Sequence, residues 1–161
     1  MAARHEVPPG ASFAFDIGRA SLDEQLRRID ALDTKAGVLI AADGILAGLV
    51  LGSPTFVGRT SRPVAVGWMA TLILSLLFGL AAIATRRYEF APTAEAVIRF
   101  IRHDEDWLKW RFLGNLARAL EVNGRKLAWK SRALSAALAS LIAAVGLSGG
   151  YFLYALAIRG R

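Results

Sequence analysis

The sequence predicts an all-α fold: an integral-membrane helical bundle with a two-span hairpin and a long cytoplasmic amphipathic helix running into a C-terminal span. Three observations predict it. The 161 residues are 55% apolar, with a mean hydropathy of +0.41, which is high for a soluble domain of this length. Three apolar runs, at about 36–53, 64–85 and 133–158, are each long enough to cross a bilayer. Around and between them, apolar residues recur at threes, fours and sevens, the spacing of a helix face.

The elements follow in order. Residues 1–20 read as a loosely ordered N-terminal tail, because Pro8, Pro9 and Gly10 break regular structure. No cleaved signal peptide is expected there, so the first span would act as its own insertion signal. Residues 21–161 read as a single membrane domain. Ser21 is the expected N-cap of the first helix, with Glu24 three positions on as its capping-box partner. Leu22, Leu26, Ile29 and Leu32 keep helical spacing, and the pattern continues past Lys35 into "AGVLIAADGILAGLVLGS". "PTFVGRTSRP" is a turn bounded by prolines. "VAVGWMATLILSLLFGLAAIAT" carries no charge and is the plainest span in the chain. After Arg86 and Arg87, Thr93 is the expected N-cap of a cytoplasmic helix over about 93–132, with a possible kink at Gly114 or Gly124. The last run completes three spans, unless Gly149 and Gly150 divide it into two half-helices. There is no internal repeat and no low-complexity tract.

Charge sets the orientation. The net charge is +7. Sixteen of the 20 basic residues flank the first span or lie between Arg86 and Arg132, and four lie in the hairpin turn and at the C-terminus. The positive-inside rule then places the N-terminus and the central helix in the cytoplasm. The same excess attracts anionic lipid, so the bilayer and not nucleic acid is the expected partner. With no cysteine, disulfides, thiolate metal sites and cysteine nucleophiles are excluded.

Candidate functional residues sit at the membrane boundary and inside the first span. Asp43 interrupts an apolar run, where insertion of a carboxylate costs about 2.5–3.5 kcal/mol at the span centre. It is either tolerated near the boundary or lines a bundle interior, a polar path or a subunit contact. Gly37, Ala41, Gly44, Gly48 and Gly52 form a small-residue stripe that lets helices approach closely. That stripe is expected to pack against the other spans or against another copy, with Asp43 at its edge. Asp33 and Lys35 mark the boundary. Lys35 can snorkel to headgroups, and Asp33 can pair with Arg86, Arg87 or Lys130. Asn123, Arg125, Lys126, Lys130 and Arg132 cluster before the last span and could hold a lipid or nucleotide phosphate. His103 adjoins Asp104, Glu105 and Asp106, but the second histidine, His5, is remote, so no metal site is expected. No phosphate-binding glycine loop, "GxSxG" or "HExxH" is present. Without a convergent nucleophile and base, the sequence predicts neither an enzyme nor a cofactor.

"LDTKAGVLIAADGILAGLVLG" resembles the signature leading into the first span of the transmembrane effectors of Pycsar, a bacterial anti-phage system. Asp33, Lys35 and Ala36 match an Asp-x-Lys-Ala motif. Asn123, Leu127, Lys130, Arg132 and Ala133 are similar to a second motif before the last membrane segment. The resemblance runs from about Leu22 onward and covers nearly the whole chain. It implies an effector that answers a cyclic pyrimidine nucleotide, cCMP or cUMP, made by a phage-sensing nucleotide cyclase. It also implies impaired membrane integrity and arrest of the infected cell. The chain departs from the best-defined architecture in having no separate strand-rich nucleotide-binding barrel. On this reading it is a homo-oligomer that permeabilises the membrane on signal. The rival reading is a non-lytic structural or adaptor protein that binds a partner through its cytoplasmic helix.

Overall fold

The computed structural model describes residues 7–53, 61–84, 88–89, 94–100 and 102–159. Every regular element among them is a helix: α1 (Ala11–Leu51), α2 (Arg62–Ile83), α3 (Ala94–Arg99) and α4 (Glu105–Arg159). Three of these, α1, α2 and α4, are long and apolar enough to cross a membrane. The predicted all-α bundle is therefore the observed class. The chain divides into two compact units. Unit 1 comprises Met1–Asp30 with Thr85–Ala128, and unit 2 comprises Ala31–Ala84 with Trp129–Arg161. Helices α1 and α4 each contribute to both.

Helix α1 starts at Ala11, ten residues before the expected N-cap at Ser21, so 11–20 is helix and not a loose tail. Pro8 and Pro9 stop any earlier start. Gly10, at φ +88°, makes the turn that only glycine adopts readily, and its carbonyl accepts from the Ala14 amide at 2.9 Å. The sequence pattern is blurred here because apolar residues lie on both faces: Phe15 is buried, whereas Phe13 and Ile17 are exposed.

The expected central helix is also divided. Residues 94–99 form the short α3, Phe100, Arg102 and His103 lie in turns or a bend, and α4 begins at Glu105. The acidic triplet marks that start. Glu105 and Asp106 lie in the first turn, where the helix dipole favours negative charge, and the Asp104 carbonyl accepts from Leu108 N at 3.0 Å. Once begun, α4 is unbroken through Gly114, Gly124 and the Gly149–Gly150 pair. The hairpin turn, Arg86–Arg87 and the predicted cap Thr93 lie outside the described residues.

In unit 1, Phe15 and Leu22 of α1 pack with Phe112, Leu116 and Ala119 of α4. Gln25 Nε2 donates to the Leu120 carbonyl at 3.3 Å, and Lys109 Nζ donates to Ser12 Oγ at 2.9 Å. The hydrogen bond from Lys109 to Glu105, helped by Asp16, raises the Lys109 pKa above the ordinary lysine value. On the α1 surface, the hydrogen bond from Arg28 lowers that of Glu24.

Unit 2 is built on small residues. Ala36, Ala82 and Ala133 form one cluster, and Trp68, Leu72 and Ala144 another. The buried face of α2 is Trp68, Leu72, Ser75, Gly79 and Ala82, at alternating steps of four and three. A Cβ on Gly79 would lie 3.0 Å from Ile40 Cγ1, so α1 and α2 meet backbone to side chain there. The outer surface is apolar, with Val38, Ile45, Leu49, Leu77, Ile142 and Phe152 among its exposed residues. Such a surface suits lipid and not water.

The small-residue stripe of α1 does not take part in this packing. Gly37, Ala41, Gly44 and Gly48 are exposed, and a Cβ on any of those glycines would meet nothing within 4 Å. The alanines at 36, 133, 137 and 144, with Gly79, provide the close approach instead. Ala137→Leu is therefore expected to cost about 1–3 kcal/mol by overpacking a filled interior. Gly44→Ala meets no neighbour and should stabilise by about 0.5–1 kcal/mol, the helix-propensity gain. Thermal unfolding of the two variants in detergent micelles checks the contrast.

Candidate functional site

The polar side chains buried between apolar helices define the candidate site. Asp43 is 5% exposed and Ser75 is fully buried. Ser75 Oγ lies 2.8 Å from Asp43 Oδ2 and 3.0 Å from the Ala137 carbonyl oxygen. One hydroxyl thus ties α1, α2 and α4 together inside unit 2. The approach is possible because residue 137 is an alanine, whose small side chain leaves its backbone accessible to a neighbouring helix. A buried carboxylate oxygen is costly without a partner, so this contact bears directly on how the three helices pack.

Closer to the end of unit 2, Lys130 is 3% exposed and its Nζ lies 2.5 Å from Asp33 Oδ1. The contact joins opposite charges at close range. The two ions are unequally placed: the Asp33 side chain is 38% exposed, whereas the lysine is enclosed. Of the three partners considered for Asp33, Lys130 meets it, and Arg86 and Arg87 lie outside the described residues. Ala36 and Ala133, each three residues on, pack against each other with Ala82.

In unit 1, Asn123 is fully buried and holds one residue by both its backbone groups. Its Oδ1 accepts from Glu89 N at 3.1 Å, and its Nδ2 donates to Glu89 O at 2.9 Å. Lys126 Nζ sits 5.7 Å from the Tyr88 ring centroid, and Arg118 pairs with the Glu89 carboxylate at 3.8 Å. Residues 88–89 are thereby strapped to α4 by an amide clamp, a cation–π contact and an ion pair.

A family model described as the Pycsar effector protein domain matches residues 18–158. The chain belongs to the Pycsar effector family. No curated protein and no solved structure matches it. As a Pycsar effector it is a transmembrane effector of anti-phage defence, from a family not known as an enzyme class. Its two sequence signatures turn out to be halves of one structural contact. Asp33 of the first meets Lys130 of the second, and Ala36 of the first meets Ala133 of the second.

The structure separates the remaining candidates in this Pycsar effector. Lys35 is exposed at the boundary. Gly44 and Gly48 face outward, so Asp43 lies not at the edge of a glycine seam but on the opposite, alanine-lined side of α1. The five residues expected to hold phosphate have separate partners within the chain or lie exposed. Asn123 and Lys126 engage residues 88–89, Lys130 is taken up by Asp33, Arg125 pairs on the surface with Glu121, and Arg132 is exposed. His103 stacks on Trp107 with ring centroids 4.2 Å apart, at the start of α4. Sequence reasoning missed Ser75, Ala137 and Glu89. Ser75 carried a legible signal, being a hydroxyl on the regular four–three stripe of α2. The Ala137 and Glu89 contacts use backbone atoms, which leave no mark in side-chain identity.

Removing either ion of the Asp33–Lys130 pair should have unequal effects. Asp33→Asn removes the counter-charge of an enclosed ammonium and is expected to cost about 3 kcal/mol, the lower end for breaking a buried pair. Lys130→Met leaves a carboxylate that water reaches and is expected to cost about 1 kcal/mol or less. Denaturation of both variants in the same detergent measures the asymmetry. Asn123→Leu removes both bonds to Glu89 and should cost about 2–3 kcal/mol. Hydrogen exchange at the Glu89 amide should then accelerate.

Proposed function

We propose that this Pycsar effector resides in the inner membrane and opens a leak through it when the infected cell raises cCMP or cUMP. The multi-pass architecture and the family support this reading, and the buried contact among Asp43, Ser75 and Ala137 carries it. A bundle held partly by polar contacts inside an apolar shell has two ways to satisfy those groups. It can pair them internally, or it can admit water. The first is a closed membrane protein and the second is a leak.

The signal has to bind the open arrangement more tightly than the closed one. To move the equilibrium from 1:99 to 99:1 it needs about 5.5 kcal/mol of preference. The basic surface of unit 1, with Arg125 and Lys126, supplies the positive charge that an anionic nucleotide requires. The N-terminus and unit 1 face the cytoplasm, where a nucleotide cyclase releases its product. The outward stripe of Gly37, Ala41, Gly44 and Gly48 is the face on which copies meet, and the leak forms in the homo-oligomer.

Leakage of a membrane-impermeant dye from cells, with and without supplied cCMP or cUMP, tests the proposal. Leakage should rise with one of the two nucleotides. Asp43→Leu replaces a buried polar group with an apolar one, tightens the closed bundle and should lower leakage by about tenfold for each 1.4 kcal/mol gained. Unchanged leakage in that variant removes Asp43 from the gate. Overexpression tolerated with either nucleotide present favours a non-lytic adaptor instead.

A further inference from the structure

The corner where Asp43 meets Ser75 is one hydrogen short. Ser75 Oγ carries a single hydrogen, yet two oxygens stand within bonding distance: Asp43 Oδ2 at 2.8 Å and the Ala137 carbonyl at 3.0 Å. Asp43 Oδ1, also buried, has no hydrogen-bond partner among the described residues. If Ser75 gives its hydrogen to an ionised Asp43, the serine and Ala137 oxygens face each other at 3.0 Å with nothing between them. If it gives the hydrogen to Ala137, its oxygen confronts a full negative charge. One more hydrogen removes both conflicts.

No cation on the surrounding helices supplies a counter-charge. Between Ala36 and Leu51, α1 has no charged residue besides Asp43. The only charged residue of α2 is Arg62, its first position. From Ala133 to Tyr154, α4 has none, and its nearest titratable groups are Lys130, already held by Asp33, and Tyr151 near the far end. An ionised Asp43 would be an uncompensated charge in an apolar interior.

We infer that the closed bundle binds a proton at Asp43. The Asp43 Oδ2–H donates to Ser75 Oγ, and the Ser75 hydroxyl donates to the Ala137 carbonyl, so every hydrogen has one acceptor. The site is a proton site built from one residue of each spanning helix. Its consequence for gating rests on the leak proposed above. When opening admits water, Asp43 loses its proton to that water and becomes a carboxylate. Closing takes one proton back per chain, because the ionised group does not fit the corner.

Infrared spectroscopy of the full chain in an ester-free detergent tests the inference directly. At neutral pH the wild type should show a carboxylic-acid carbonyl band. The band should be lost in Asp43→Asn, which keeps an N–H donor toward Ser75 and so preserves the contact. It should shift in Ser75→Ala, which removes the acceptor of the acid hydrogen. A wild type with carboxylate absorption only overturns the inference, and so does a band that survives in Asp43→Asn. The measurement needs no leakage, so failure of the dye experiment and failure of the proton site are distinguishable.

Discussion

A carboxylate placed in an apolar span must be satisfied by its own bundle, and unit 2 is arranged around that requirement. Lipid offers Asp43 no hydrogen bond, so the partners have to come from α2 and α4. Ser75 supplies the hydroxyl and Ala137 the carbonyl. Both contacts demand short distances between helix axes. Near these contacts the interior is accordingly lined with alanine, with Gly79 set against Ile40, while Trp68 and Leu72 fill the space toward the start of α2. Polarity inside and apolarity outside reverse the arrangement of a water-soluble core.

The buried polar groups of the two units differ in what they hold. Asp43 and Lys130 join side chains on different helices of unit 2, so breaking either contact frees one helix from another. Asn123 grips a backbone. Its amide satisfies the donor and the acceptor of Glu89, a residue outside any helix that would otherwise need water for both groups. An amide is suited to this because it presents one donor and one acceptor side by side. Aspartate in that place would repel the Glu89 carbonyl, and leucine would leave both groups unpaired. The asparagine of the second signature is thus explained by the peptide it clamps, and the lysine of that signature by the carboxylate it meets.

How much of this was legible in the sequence depends on which atoms make each contact. The three spans were legible because length and apolarity alone decide them. The Asp33–Lys130 pair was legible as one of three choices, since opposite charges at one boundary are few. The start of α1 was not, because Phe13 and Ile17 put apolar residues on the exposed face and hide the stripe of Ala11, Phe15, Leu22 and Ile29. The division between α3 and α4 was hidden by a continuous apolar spacing, although Asp104, Glu105 and Asp106 did mark a helix start. Of the two packings read for the glycine stripe, against the other spans or against another copy, the first is not what the structure shows. Glycines permit close approach but do not compel it, and alanines on another face of the same helix took that role.

The same distinction separates the two faces of α1 in unit 2. The face with Ala36 and Asp43 is filled, and every substitution there disturbs an existing contact. The face with Gly37, Ala41, Gly44 and Gly48 is empty, and substitution there disturbs nothing within the chain. A residue type that costs helix stability, repeated on an empty face, gains nothing from intramolecular packing. Its return must come from the lipid or from another protein. Lipid chains pack equally well against alanine or leucine, so they give no reason to keep four small residues in register. Close approach of a second helix does give such a reason. The interior face holds the contacts within the bundle, and the outer face leaves four small residues open.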